Sequence, residues 1–487
     1  MRTNIVPALV LMLFVLSNPA SAGDQEIEQL QQQLEQLKLE YNNKIEELEK
    51  RLQATEIASQ QKKNESKENE EKAKQQMVPV VAEYAPADDN AAGTPVKISK
   101  SNAFNPAVSL ILDGRYSDFS EDPEEYSLSG FQLGGEAGPG EAGFALGHSE
   151  LVLSANVDDK FYGRFTAAVD SHDGETEVEL EEAFFETLAM PYGLKILGGR
   201  FFSDIGYLNK QHPHQWDFTD APLIYRGLFG NHLLDDGVQL SWLAPTDLYF
   251  ELGSELFSGG RYPIEYSGDS TIPTYTLFAK LGGDIGISHS WQAGLSLIDA
   301  KIDYSTESGH GHGHEDEHDH EGEEEHMAPI YSGDTATLGF DLVYKWAPQG
   351  NSKQRNLLLQ YEYFNRDYDG MLSAEHEGEA ETGSYDGSQS GWYAQAVYQF
   401  MPQWRVGLRY DALTSSTSGS NPELIEESGF DSEGHDPFRY SLMADWSNSE
   451  FSRVRLQYGH DESSPEAYDY WTLQYILSLG AHGAHRY

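Results

Sequence analysis

From Ala103 to the end of the chain, apolar and polar residues alternate with a period of two. Phe161, Gly163, Phe165, Ala167 and Val169 interleave with Tyr162, Arg164, Thr166, Ala168 and Asp170. The pattern recurs in Leu338, Phe340, Leu342, Tyr344, Trp346, in Trp404, Val406, Leu408, Tyr410, and in Trp471, Leu473, Tyr475, Leu477, Leu479. Successive strand side chains point to opposite faces, so each segment carries one apolar face edged by aromatics and one polar face. In a soluble sandwich the apolar face would meet a second sheet. Segments of about ten residues with charge on the other face fit a barrel with an apolar exterior and a polar, water-filled lumen.

Connection lengths separate the two architectures. Sixteen candidate strands start near residues 107, 146, 160, 177, 194, 237, 247, 274, 290, 335, 355, 390, 404, 437, 450 and 467. Links after even-numbered strands are short turns, such as Val157-Asp158-Asp159, Ala244-Pro245-Thr246 and Met401-Pro402-Gln403. Links after odd-numbered strands are mostly long, acidic and glycine-rich, including 307–325, 375–381 and 423–436. That parity belongs to a membrane barrel with both ends on the periplasmic side. The expected fold is all-β: a transmembrane antiparallel β-barrel of about 16 strands over residues 103–487, preceded by a short α-helical coiled coil.

The N-terminus sets the compartment. Arg2, an apolar run from Val6 to Leu16 and the exit Ala20-Ser21-Ala22 make residues 1–22 a secretory signal peptide. Ile27, Leu30, Leu34, Leu37 and Tyr41, continued by Ile45, Leu48 and Leu52, give a heptad seam, so 23–57 is expected to be a self-associating coiled coil. Residues 58–102, rich in Lys, Glu and Gln and then in Pro, cannot bury a core and are expected to be a flexible linker. The net charge of −48 argues against nucleic acid, and the absence of cysteine excludes thiolate chemistry and disulfides.

The segment Gly199-Arg200-Phe201-Phe202, then Gly206-Tyr207-Leu208-Asn209, then His212-Pro213-His214-Gln215-Trp216-Asp217-Phe218, resembles a porin-like group of zinc-regulated outer-membrane proteins. The signal peptide, coiled coil and strand count are similar to Gram-negative porins of the phosphate-selective O/P type. The resemblance covers roughly residues 100–487 and implies an outer-membrane channel. Some members of the group carry the label TonB-dependent receptor. This chain departs from that label, because about 380 barrel residues leave no room for some 22 strands and a plug.

Inward positions on the later strands carry Arg405, Arg409, Arg439, Arg453 and Arg455, and opposite strands carry Glu251 and Glu255. Facing walls of opposite sign would set a transverse field across the lumen, or the charges pair and only solvate it. The long aromatic link Ser203–Asp236 is expected to fold inward, which makes Tyr207 and Trp216 pore-lining candidates.

Residues 310–326 read HGHGHEDEHDHEGEEEH, placing His310, His312, His314, His318, His320 and His326 among eight acidic residues. Imidazole suits Zn²⁺ and carboxylates add charge, so a low-specificity, pH-sensitive metal-collecting loop is expected, with Zn²⁺ as ligand or cargo. His212 and His214, with His232, Asp217, Asp220, Asp235 and Asp236, are candidates for a second station. No catalytic motif stands in a suitable context, so no catalytic residue is assigned and a transport protein is expected rather than an enzyme. The expected function is a porin-like outer-membrane channel for small solutes or ions, linked to zinc acquisition. Its expected partners are outer-membrane lipid and further copies of itself, as a trimer. The alternatives are a TonB-dependent-type metal receptor and a structural protein tethered to the periplasm by its coiled coil.

Overall fold

The computed structural model describes residues 106–122, 126–134, 137–172, 175–305, 329–376 and 379–480. The expected signal peptide, coiled coil and linker lie outside the described residues.

Strands form where the period of two predicts them, with the apolar face turned outward. β1 (Ala107–Phe119) buries Ser109, Ile111, Asp113 and Ser117 while exposing Val108, Leu110, Leu112 and Tyr116. It is followed by β2 (Gly143–Leu146), β3 (Ser149–Asn156), β4 (Phe161–His172), β5 (Glu175–Thr187), β6 (Leu194–Phe202), β7 (Leu234–Leu243) and β8 (Tyr249–Phe257). The second half comprises β9 (Thr274–Ile285), β10 (His289–Ser305), β11 (Ile330–Trp346), β12 (Asn356–His376) and β13 (Glu379–Met401). It ends with β14 (Trp404–Gly419), β15 (Phe438–Ser449), β16 (Ser452–Glu462) and β17 (Tyr468–Gly480).

All pairings are antiparallel, and β1 pairs with β17 on one side and with β2 and β3 on the other, so the sheet closes. Gly114 pairs with Leu146 and Ile111 with Glu150, which leaves one extra residue on the second strand. β2 and β3 are thus a single stave bulged at Gly147-His148, and the barrel has sixteen staves. One end carries the short links 157–160, 188–193, 244–248, 286–288, 347–355, 402–403 and 450–451. Among the described residues, the long links 203–233, 258–273 and 420–437 lie at the other end. One expectation is corrected. Residues 375–376 and 379–381, read as parts of an exterior loop, belong to the strands, because β12 and β13 stay paired out to His376 opposite Glu379.

The outer surface is a belt of exposed Leu, Val and aromatic side chains, among them Leu240, Leu277, Leu297, Leu338, Leu408, Leu442 and Leu473. A continuous apolar exterior on a closed barrel, with every ladder bond made internally, is the arrangement hydrocarbon demands. Aromatic rows rim the belt: Phe340, Tyr361, Trp392, Tyr410 and Phe438 follow one another across β11 to β15 at 5.5–6.3 Å between centroids. Trp404 and Trp446 pair at 6.2 Å near the short-turn end.

The interior is packed rather than open at the long-link end. A cluster including Leu128, Phe201, Leu223, Leu228, Phe364, Tyr385, Leu424 and Phe430 fills it. The link between β6 and β7 supplies much of this core, and α1 (Leu223–Phe229) is buried along its whole length. α2 (Pro422–Glu427) adds Leu424 and Ile425 from the β14–β15 link.

Candidate functional site

The chain leaves the wall at Phe202, crosses the lumen and returns at Leu234. Ser203 N donates to Leu233 O at 2.9 Å, and Asn209 bridges this neck, donating to Ser203 O (2.8 Å) and Leu233 O (2.9 Å) while accepting from Leu233 N (2.7 Å). Two wall carboxylates then grip the first turn. Glu255 on β8 accepts from Asp204 N at 2.8 Å and from the Ser203 hydroxyl. Glu362 on β12 accepts from the backbone N–H groups of Tyr207 (2.9 Å) and Leu208 (3.1 Å) and from the Tyr225 hydroxyl (2.8 Å). Asp204 in turn sits 2.7 Å from both Lys210 and Lys280, and despite burial these cations hold its carboxyl far below the usual range.

The opposite wall is an arginine ladder. Arg455 and Arg453 on β16 donate to Trp216 O at 2.6 and 3.1 Å. Arg405 on β14 pairs with Asp217 (2.7 Å) and with Asp445 on β15. Arg409 and Arg439 converge on Asp220, at 2.6 and 2.9 Å, and also donate to the carbonyls of Asp220 and Ala221. Burial opposes the charged form of Asp220, but the two guanidiniums outweigh it and hold its pKa well below the ordinary aspartate value. The stretch Trp216–Ala221 is therefore fixed by charge-assisted bonds out of water, where such bonds are strong and expensive to leave half-made.

A third group of contacts joins the same segment to β3, β4 and β5. His148, Glu150, Glu181, Glu182, His212 and His214 are all buried here. Two consecutive glutamates face inward because the β4–β5 register shifts after Thr166, which pairs with Glu182 while Ala167 pairs with Leu180. Glu181 is the extra residue of that bulge, and the bulge at Gly147-His148 turns the imidazole of His148 toward it. His212 lies 3.2 Å from Glu150, 3.4 Å from Glu181 and 2.9 Å from Glu182. Burial disfavours its imidazolium, yet Glu150 and Glu182 outweigh that and raise its pKa well above the usual histidine value.

The expected pore-lining residues face the lumen but differ in setting. Arg409, Arg439, Arg453 and Arg455 are buried against the crossing segment instead of lining open water, each paired with one of its carbonyls or carboxylates. Trp216 is buried, with its indole N–H donating to Gln211 O at 2.7 Å. Tyr207 is half-buried beneath the ammonium of Lys345, 5.6 Å away. Glu255 is buried, and Glu251 is half-exposed near the short-turn end, accepting from Tyr249. His310, His312, His314, His318, His320 and His326 lie outside the described residues.

The second station expected in the crossing link is not assembled as one unit. Asp217 and Asp220 pair with arginines, Asp236 pairs with Arg200 at 2.8 Å, and Asp235 accepts from Gly259 N and Gly260 N. His232 shares a hydrogen bond with Asn209 O. Each aspartate found a nearer cation or turn, which left His212 and His214 to meet wall residues instead. His148, Glu150 and Glu181 escaped the sequence reading. The signal was present in Glu181-Glu182, a pair that a period of two cannot place on one face without a bulge.

No family model matches the chain. The outer membrane channel DcaP of Acinetobacter baumannii superposes with a TM-score of 0.46 at 12% identity, covering 78% of this chain and 99% of its own. The anion-selective porin from Comamonas acidovorans gives 0.45 at 10% identity over 77% and 99%. OmpT of Vibrio cholerae in its trimer form also gives 0.45 at 10% identity over 77% and 99%. Among curated proteins, one from Aquifex aeolicus (strain VF5), described as "Uncharacterized protein", is 30% identical over 415 residues, spanning 79% of this chain and 80% of its own. The chain belongs to the same family as this Aquifex aeolicus protein.

Proposed function

We propose that the protein is an outer-membrane, porin-like channel for small ions or solutes, constricted by its own crossing segment 203–233. The observation that carries this reading is the set of water-exposed lumenal charges on the short-turn side of the segment. Half-exposed or exposed lumenal charges, Arg164, Glu186, Lys195, Glu251 and Lys345, gather toward the short-turn end, and Lys210 of the segment is exposed as well. A closed apolar belt around a lumen with both signs of charge serves hydrated solutes, not a protein interior. The filling element is an internal link fixed by polar contacts, so the receptor alternative gains no support from it.

The finer part of the proposal concerns metal. The histidine-rich segment 310–326 collects Zn²⁺ at the channel mouth, and copies of the chain associate as trimers through barrel and coiled coil. Planar-bilayer recording of the purified full-length protein tests both parts. The expected result is discrete conductance steps that respond to micromolar Zn²⁺ only while residues 310–326 are present. Folded protein that yields no steps would remove the channel reading, and an identical zinc response after deletion of 310–326 would remove the loop's role.

A further inference from the structure

Two imidazoles and two carboxylates face one another inside the barrel, His148 and His212 each lying against both Glu150 and Glu181. We propose that these four residues bind a divalent transition-metal ion with two nitrogen and two oxygen ligands, tying the crossing segment to the wall of β3 to β5.

Geometry is the first argument. His148 Nε2 lies 3.0 Å from Glu181 Oε1 and 3.8 Å from Glu150 Oε1. His212 Nδ1 lies 3.2 Å from Glu150 Oε2 and 3.4 Å from Glu181 Oε2. Each carboxylate thus offers one oxygen to each imidazole. Ligands held about 2.0–2.1 Å from a tetrahedral ion stand ~3.3 Å apart, close to these separations; the two rings meet different oxygens of each carboxylate, so a turn of each carboxylate brings one oxygen to both rings. One ligand atom each from His148, Glu150 and Glu181 already lies within 4.8 Å of the others.

Satisfaction of polar atoms is the second. His148 Nε2, Glu150 Oε2, Glu181 Oε2 and His212 Nδ1 are shielded from water and lack a well-aligned hydrogen bond, their nearest polar neighbours being one another's ion-pair contacts. Their side chains are only 9, 0, 5 and 3% exposed. Buried nitrogen and oxygen atoms in this state cost free energy unless something between them is shared. Protons on the two imidazoles would satisfy these atoms in pairs, whereas a metal ion is bound by all four together.

The far side of each ring gives the third. His148 Nδ1 lies 2.8 Å from Asp170 Oδ2, and His212 Nε2 lies 2.9 Å from Glu182 Oε2. A carboxylate on the remote nitrogen fixes the proton there and turns the near lone pair toward the metal, as in carboxylate–histidine–metal arrangements. His214 adds a further contact, its Nδ1 lying 2.7 Å from Glu150 Oε1.

The donor set names the class of ion. The chain has no cysteine, so soft thiolate-bound ions are excluded, and two imidazoles are foreign to Ca²⁺ or Mg²⁺ sites. Zn²⁺ fits, and Co²⁺ is its spectroscopic stand-in. Only His212 belongs to the crossing segment, so the ion cross-links segment to wall opposite the arginine ladder. Its effect on passage rests on the channel reading, whereas occupancy does not.

Occupancy is measured on full-length protein in detergent, stripped with chelator and then titrated with Co²⁺ and Zn²⁺. The background is a variant with the six histidines of 310–326 changed to serine, which removes loop binding. The expected result is one ion per chain by elemental analysis, with the visible absorption of tetrahedral Co²⁺. Glu181→Gln or His212→Gln in that background abolishes the spectrum, and Glu182→Gln, behind His212, weakens affinity about 10–100-fold. Heat-modifiable gel mobility confirms that each variant keeps its barrel. A folded background protein that binds no ion, or one that keeps it after both Glu181→Gln and His212→Gln, overturns the proposal and leaves a protonated histidine–glutamate network. A chain that conducts without binding an ion loses only the metal site, while one that binds without conducting loses only the channel reading.

Discussion

Arg439 of β15 and Asp220 of the crossing segment meet at 2.9 Å inside the barrel, and Arg409 reaches the same carboxylate from β14 at 2.6 Å. One carboxylate thus serves two buried guanidiniums. Removing one partner of a buried ion pair costs about 3–5 kcal/mol, because the remaining charges stay dehydrated. Asp220→Asn is therefore expected to release Trp216–Ala221 from the wall. Single-channel recordings should show larger and noisier conductance than the parent, and limited proteolysis should cut within 203–233. Parent-like conductance with an uncut segment would show that the clamp does not hold the constriction.

Gly206 has a φ of +58°, and a methyl group there would stand 2.3 Å from Glu362 Oε2 and 2.5 Å from the Tyr225 hydroxyl. Gly286, in a short turn, has a similar φ of +65° but open space around it. Alanine at either site bears the left-handed backbone penalty of about 1–2 kcal/mol. Only Gly206→Ala also breaks the grip of Glu362. The thermal midpoint should fall further for Gly206→Ala than for Gly286→Ala, and conductance should change for Gly206→Ala alone. Equal shifts would assign the whole effect to backbone strain.

The barrel was legible because alternation and link parity are local properties that survive without knowledge of contacts. Trp404, Val406, Leu408 and Tyr410 state their face whatever lies across from them. The filled lumen was not legible in the same way. Arg409 and Arg439 look identical in sequence whether they face water or Asp220, which lies about 190–220 positions earlier in the chain. The metal-type cluster failed for a related reason. His148 and Glu181 come together through two one-residue bulges, and a bulge is visible in sequence only as an imperfection of the period. Glu181-Glu182 was such an imperfection, whereas His148 left no trace.

Leu442 lies on the exterior face of β15, opposite Leu408 of β14 and between the rims marked by Tyr440 and Trp446. If hydrocarbon covers this belt, an arginine there costs about 2–4 kcal/mol near the bilayer midplane. Leu442→Arg should lower the folded fraction in lipid vesicles, read as loss of the heat-modifiable gel band. Ser441→Ala, on the adjacent lumenal face, should leave that band unchanged. A fully folded Leu442→Arg protein would place this face in water.

His232 packs against Phe202 at 4.6 Å and Trp216 at 5.2 Å between ring centroids, with Nδ1 2.9 Å from Asn209 O. Burial pushes its pKa down to about 4 from the ordinary histidine value of 6.5, outweighing the opposing pull of Glu181. A folded pKa below the unfolded one means that the unfolded chain takes up the proton first. The contribution of this packing is then complete above about pH 6.5, declines as pH falls toward 4, and is constant below that. His232→Phe keeps an aromatic ring beside Trp216 and removes the titration. The difference in thermal midpoint between parent and variant should therefore change across pH 6.5 to 4 and be flat on either side. Parallel curves throughout that window would mean that His232 is protonated, or free of its neighbours, in the folded barrel.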